Sequence, residues 1–199
     1  GVLPNPTTQF IRATSGDGTA GTPYVLTDIY GVQGIASNAT TLSTANGNYQ
    51  LGANIEAANT ENWNSGAGFV PIGSTANGFF IGTLDGQNYT INNLHINRPT
   101  TAEVGLFGAA NDPATIQNIG LINVNITGQS QVGSLIGQSY IQITDAYVNG
   151  GTVTGSQNTS GVQVGGLIGH NPSGNNLANL YSTANVSGGT QVGGLIGNS

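Results

Sequence analysis

Apolar residues in this chain arrive in short runs closed by Gly, Asn or Ser, and one run is written repeatedly. Val164-Gly165-Gly166-Leu167-Ile168-Gly169 returns as Val192-Gly193-Gly194-Leu195-Ile196-Gly197 and is preceded by Val132-Gly133-Ser134-Leu135-Ile136-Gly137, with a shorter copy at Val104-Gly105-Leu106-Phe107-Gly108. The leading valines are 28, 32 and 28 residues apart, a period that marks a repeat architecture. Two more pieces recur between copies. One is apolar: Ile119-Gly120-Leu121-Ile122, Asp145-Ala146-Tyr147-Val148 and Asn179-Leu180-Tyr181-Ser182. The other is β-branched and ends in Gly: Val124 to Gly128, Thr152 to Gly155 and Asn185 to Gly188. Three short strands per unit match one turn of a three-sided β-solenoid, whose coils sit about 4.8 Å apart. Such stacking predicts a column of Val104, Val132, Val164 and Val192 and another of Leu106, Leu135, Leu167 and Leu195. One buried Leu is worth roughly 2 kcal/mol, and no unit can bury its own, so stability comes from neighbours. The glycines read as corners with positive φ or as places where backbones pass closely.

Upstream of the repeats the pattern is less regular. Residues 1–23 read as a leading segment or cap, with Gln9 to Arg12 a short strand. Residues 24–97 read as irregular first coils, and 98–199 as the repeat coils. Ile29, Val32 and Ile35 fall at helical spacing within Asp28 to Ser37, with Thr27 or Asp28 as the cap; this is the one helix expected. Phe69 to Gly73 and Phe79 to Leu84 read as strands. Tyr89 to Ile96 alternates with one slip, placing Tyr89, Ile91 and Leu94 or Ile96 inside around a bulge. Glu56 to Gly68 reads as a polar loop carrying Trp63, the single tryptophan.

Composition narrows the partners. Charged residues make up 5% of the 199, against roughly 25% in an ordinary globular protein. Two basic residues, Arg12 and Arg98, face eight acids for a net charge of -6. Nucleic-acid binding needs clustered cations, so it is set aside, as is attraction to an anionic membrane. No apolar run approaches the roughly 18 residues of a membrane helix. Cysteine is absent, which removes disulfides and thiolate metal sites. Gly1 to Pro6 lacks the regions of a signal peptide, which reads as a processed chain or an excised segment.

The repeated Gly166-Leu167-Ile168-Gly169, Gly194-Leu195-Ile196-Gly197 and Gly105-Leu106-Phe107-Gly108 resemble the GLUG motif, with Ser134 replacing the first Gly in one copy. Trp63 to Gly73 followed by Gly82 to Ile91 is similar to segments of filamentous-haemagglutinin-like exoproteins and large adhesins of Gram-negative bacteria. The resemblance covers Tyr24 to Gly197. It implies a right-handed parallel β-helix exported to the cell surface, secreted or held at the outer-membrane exterior, and used for attachment. GLUG repeats also accompany streptococcal immunoglobulin-A metallopeptidases. The chain has no His-Glu-x-x-His zinc motif, so it is not read as their catalytic part, nor as an enzyme.

Chemistry-bearing residues are few. His95 lies on an alternating strand; His170 holds a position filled by Gln138 and Asn198 in other copies. Asp85, Asp112 and Asp145 are the carboxylates a lyase or hydrolase would draw on, but no acidic pair with a basic partner is close in sequence. No cofactor or metal is expected. Thr152-Val153-Thr154, aligned with Val124 to Ile126 and Asn185 to Ser187, builds no flat threonine array. Trp63, Tyr147 and Tyr181 are the aromatic candidates for stacking on a glycan, with Tyr30 and Tyr140 near loops. The favoured reading of the two repeat tyrosines is an internal stack. Asn38, Asn88, Asn125, Asn158 and Asn185 begin glycosylation sequons, about as many as chance supplies. The function expected is a structural and adhesive module presenting loops to host-cell or surface glycans and proteins, or associating with itself through an open coil end. A carbohydrate-binding or carbohydrate-active β-helix is the alternative.

Overall fold

The structure is a computed structural model and describes residues 12–35, 47–157 and 159–199. Backbone pairing between successive strands of its two sheets is parallel, and inward side chains stack in five columns. Tyr24, Tyr49, Leu84, Ile116, Ile143 and Leu177 form the first. Ile55, Ile91, Leu121, Val148 and Ser182 form the second. Ile96, Ile126, Val153 and Val186 form the third. The fourth is the expected valine column, Val104, Val132, Val164 and Val192. The fifth runs Ile72, Phe107, Ile136, Ile168 and Ile196, and the repeat leucines sit one residue before its last four members. The chain forms the expected parallel β-helix, of about four turns. Most of the columns' members belong to one buried cluster, which also takes in Leu26, Phe69, Phe80 and Leu94 from between the columns.

Each coil holds more strand than the repeat pattern suggests. Thr115 to Gln117, Gln142 to Thr144 and Leu177 to Ala178 stack as an additional piece. In two coils the pieces fuse into the long strands Phe107–Thr127 and Ile136–Thr154. These strands turn corners at left-handed residues, and the corners belong mostly to Asn and Asp. Asn118, Asp145 and Asn179 stack with φ of 53°, 51° and 55°, and Asn93, Asn123 and Gly150 with 59°, 52° and 72°. Short amide and carboxyl side chains tolerate this conformation because they bond to nearby groups. Here they bond up and down the stack: Asn123 Nδ2 donates to Asn93 Oδ1 at 2.7 Å and Asn179 Nδ2 to Asp145 Oδ1 at 2.8 Å.

The repeat glycines are therefore not corners. None has a left-handed φ; except at Gly194 in the last coil, they are places of close approach. A Cβ on Gly133 would lie 2.4 Å from the Ile136 carbonyl oxygen, and one on Gly169 would lie 2.5 Å from the Val132 nitrogen. Ser134, standing where other copies have Gly, is fully buried and donates its hydroxyl to the Gly166 carbonyl at 2.6 Å.

The less regular N-terminal part caps the first column. The helix Ile29–Gln33 is capped by Asp28, whose Oδ1 accepts from the Gly31 N–H at 2.8 Å. Ile29, Val32 and Ile35 are all buried, as their spacing predicts. Glu56 to Gly68 is less loop-like than expected: Ala58–Gly66 winds as two 3₁₀ segments with a kink at Trp63, Asn64 and Ser65. Phe69 to Gly73 and Phe79 to Leu84 contribute the strand Thr83–Asp85 and otherwise only bridges, Ile72 to Phe107 and Phe80 to Ala110. Pro71 has no N–H to give a ladder. The slip after Tyr89 is the Asn93 corner, which puts Ile91, Leu94 and Ile96 all inside and leaves Tyr89 exposed. Residues 9 to 11 of the expected leading strand, the far end of the expected helix, and sequons Asn38 and Asn158 lie outside the described residues.

Gly169→Ala is expected to cost about 1–3 kcal/mol through overpacking. Gly194→Ala, where a Cβ meets nothing within 4 Å, should stay within about 0.5 kcal/mol of the parent. Equilibrium denaturation of both variants measures the difference.

Candidate functional site

Outward side chains on the third column's strands make a regular surface. Ile96, Ile126, Val153 and Val186 point in, so their neighbours point out: His95 and Asn97, Asn125 and Thr127, Thr152 and Thr154, Asn185 and Ser187. Thr152 to Thr154 thus align with Asn125 to Thr127, one residue later than the sequence alignment placed them. The result is a two-column array in which amides and hydroxyls, with His95 at one end, bond across coils. Thr152 Oγ1 donates to Asn125 Oδ1, and Ser187 Oγ to Thr154 Oγ1, both at 3.3 Å. No carboxylate or Arg belongs to the array. At its edge, Asn93, His95, Asn123 and Asn125 line a cleft of about 280 Å³ with Glu61.

The aromatic candidates do not form one platform. Tyr147 and Tyr181 stack with centroids 4.8 Å apart and planes 6° apart. Ala146 and Val148 beside Tyr147 are buried, so the tyrosine stack lies outside the coil and the internal reading is corrected. Tyr147 covers Gly120, whose Cβ would come 2.4 Å from its ring. Tyr181 is 49% exposed. Trp63 instead packs against Tyr30 at 4.9 Å and Phe69 at 6.4 Å. Tyr140 meets Phe79 edge-on at 5.8 Å.

The titratable candidates are built into the scaffold. Asp85 accepts from the Gln87 N–H and the Gln117 side chain at 2.8 Å each, and from Asn118 Nδ2 at 3.0 Å. Burial raises its pKa, but these hydrogen bonds outweigh burial and hold it below the ordinary carboxylate value. Glu56 is lowered chiefly by the Asn93 side chain, which donates to both of its oxygens. Asp17 is lowered to about 2, first by the Thr22 hydroxyl and then by Thr19. His170 stacks between Gln138 and Asn198, as its repeat position predicts. Burial lowers its pKa, and its Nδ1 is buried without a partner. Among the described residues no three His, Cys, Asp or Glu side chains group as metal ligands would.

With this geometry in view, comparison with known proteins places the chain. Residues 38–150, more than half of it, match the model of the M26 IgA1-specific metallo-endopeptidase N-terminal region. The chain belongs to this M26 family. Halomucin of Haloquadratum walsbyi is 36% identical over 162 residues, covering 78% of this chain but 2% of halomucin. A "Putative Gly-rich membrane protein" of Evansella cellulosilytica is 31% identical over 138 residues, 55% of this chain and 16% of that protein. The chain thus spans a small part of these curated relatives. The crystal structure of a "putative immunoglobulin A1 protease" from Bacteroides ovatus superposes with a TM-score of 0.63 at 18% identity, over 94% of this chain and 64% of that one. At that identity the likeness shows the fold.

The M26 match corrects the reading of the chain as no enzyme: its family is a region of a metallo-endopeptidase. The sequence held the pointer, since GLUG repeats also accompany such peptidases. The absence of a His-Glu-x-x-His stretch describes only these 199 residues. The GLUG resemblance rests on the repeat motifs and the adhesin resemblance on Trp63 to Gly73 with Gly82 to Ile91, while the family shown is the M26 region.

Asp85 and Asp17 generate a pH prediction. Both have folded values below the unfolded one near 3.9. Their contribution is therefore complete above about pH 4 and is lost as pH falls through the folded values. Denaturation midpoints of the parent should drop between about pH 4 and 2, and an Asp17→Asn, Asp85→Asn variant should show a shallower drop over the same window.

Proposed function

We propose that the chain is a β-helical module of a secreted or cell-surface metallo-endopeptidase and attaches the enzyme to a glycoprotein substrate of the immunoglobulin A1 kind. The match of residues 38–150 to the M26 N-terminal region carries this reading. Halomucin and a membrane protein among its relatives support a place at the cell exterior. The zinc chemistry belongs to ligands outside these 199 residues, because the chain has two histidines and no His-Glu-x-x-His stretch. What the chain contributes is surface. The Asn/Thr array offers uncharged donors and acceptors at coil spacing, and sugar hydroxyls pair with such groups without desolvating a charge. Exposed Tyr181, backed by Tyr147, adds an aromatic surface on the strand that precedes Asn185. Attachment, the adhesive role that the repeats suggest, is then in the service of proteolysis.

Intact immunoglobulin A1 immobilised on a sensor should retain the 199-residue chain, and retention should fall at least tenfold when its glycans are removed. Thr152→Asp with Thr154→Asp should weaken retention similarly, since each adds an unpaired charge to the array. No retention at concentrations of tens of micromolar, or retention indifferent to both changes, defeats the reading.

A further inference from the structure

The chain has two cations, and the structure treats them differently. Arg12 is paired: its Nε lies 2.7 Å from Asp28 Oδ2, and its guanidinium sits 5.4 Å from the Tyr30 ring centroid. Arg98 is half-buried and has no carboxylate. Its Nε donates to the Phe69 carbonyl at 3.0 Å and Nη2 to the Gly68 carbonyl at 3.4 Å. All eight carboxylate side chains lie among the described residues, and the Arg12–Asp28 pair is the ion pair they form with an Arg. Glu103 lines the same cleft as Arg98, yet both its oxygens turn to Thr75, accepting from the Thr75 N–H at 2.8 Å and from its hydroxyl. In a chain of net charge -6, Arg98 is the arginine left without an ionic partner.

The cleft has a volume of about 220 Å³, and Val70, Pro71, Ser74 and Thr101 are among the residues that line it with Arg98. Two of the five guanidinium N–H groups are spent on backbone carbonyls, which fix its plane; three remain. A planar fork held in place is the group that recognises carboxylate in a bidentate manner. Glu103 at the rim disfavours a dianion, so phosphate is a poor occupant. The lining contains no aromatic ring on which a sugar would stack, whereas Val70 and Pro71 suit a short methylene stem.

We propose that the Arg98 cleft is a binding site for an acidic side chain, Asp or Glu, of a polypeptide. The carboxylate engages the free guanidinium edge and the stem lies on Val70 and Pro71. The site is separate from the Asn/Thr array and does not depend on the array's having a ligand.

With two arginines in the chain, ¹⁵N spectra hold two Arg Nε signals, so the titration reads the site directly in the unaltered protein. N-acetylglutamate methylamide should shift the Arg98 signal saturably and leave Arg12 in place, while the glutamine analogue shifts neither. Arg98→Gln should remove the saturable response seen in other nearby amides, Arg98→Lys should weaken it several-fold, and Glu103→Gln should strengthen it. Equal shifts at both arginines, or none up to tens of millimolar, overturn the proposal. A response to glucuronate but not to the blocked glutamate overturns it in favour of an acidic glycan, and a response to inorganic phosphate stronger than to either overturns the carboxylate assignment.

Discussion

Everything in this molecule depends on parallel, in-register pairing of each coil with the next. A single coil has no inside: its valines and isoleucines converge on an axis, but the volume above and below is open. Pairing at strand spacing closes that volume, and only if like residues meet like. Val104, Val132, Val164 and Val192 illustrate both halves of the rule. Val132 and Val164 have a paired coil on both sides and are fully buried, as is Val104 at the start of the column, whereas Val192, with a described coil on one side only, is 45% exposed. Sequence repetition is thus the physical condition for having a core at all.

The same constraint governs the polar groups. A chain that turns several times per coil must place residues in the left-handed region again and again. In a stack, those residues fall above one another. Asn and Asp suit such positions twice over, since they tolerate the conformation and their side chains then reach the equivalent residue of the neighbouring coil. The side-chain hydrogen bonds from Asn123 to Asn93 and from Asn179 to Asp145 are the outcome. This explains how a protein with 5% charged residues organises its exterior: polar amides and hydroxyls bond along the axis where other proteins use ion pairs.

Period and residue class were legible in the sequence; direction and corner geometry were less so. The valine column and the three buried residues of the helix followed from spacing alone, and residue type narrowed the cap to Thr27 or Asp28, of which Asp28 is the one observed. The corners did not, because a conserved-looking glycine reports either a left-handed φ or a close approach, and sequence cannot separate the two. Gly133 and Gly169 belong to the second kind. Orientation failed where a strand passes a corner: each left-handed residue resets the inward alternation. Tyr89 and Tyr147 were therefore assigned inside but lie outside, and the Thr152 array was aligned one residue early. The role of Arg98 carried no signal, since an unpaired charge is visible only once the positions of all the carboxylates are known.

A solenoid also limits where specific recognition can arise. Along any regular column the outward groups are near copies, about 4.8 Å apart, so such a face suits ligands that repeat or that accept many equivalent weak contacts. A single directional contact needs groups of different kind brought together from different coils. That happens where the repeat is broken. The Arg98 cleft is made of Val70, Pro71 and Ser74 from the non-repetitive segment before the repeats, and of Thr101 and Glu103 from the first repeat coil. Pro71 has no N–H to give a ladder, and the tight Ser74–Gly78 turn that follows it lends Ser74 and Asn77 to the cleft lining. The irregular first coils are therefore more than an imperfect version of the repeats: they are the part of the fold in which one residue can differ from everything stacked on it.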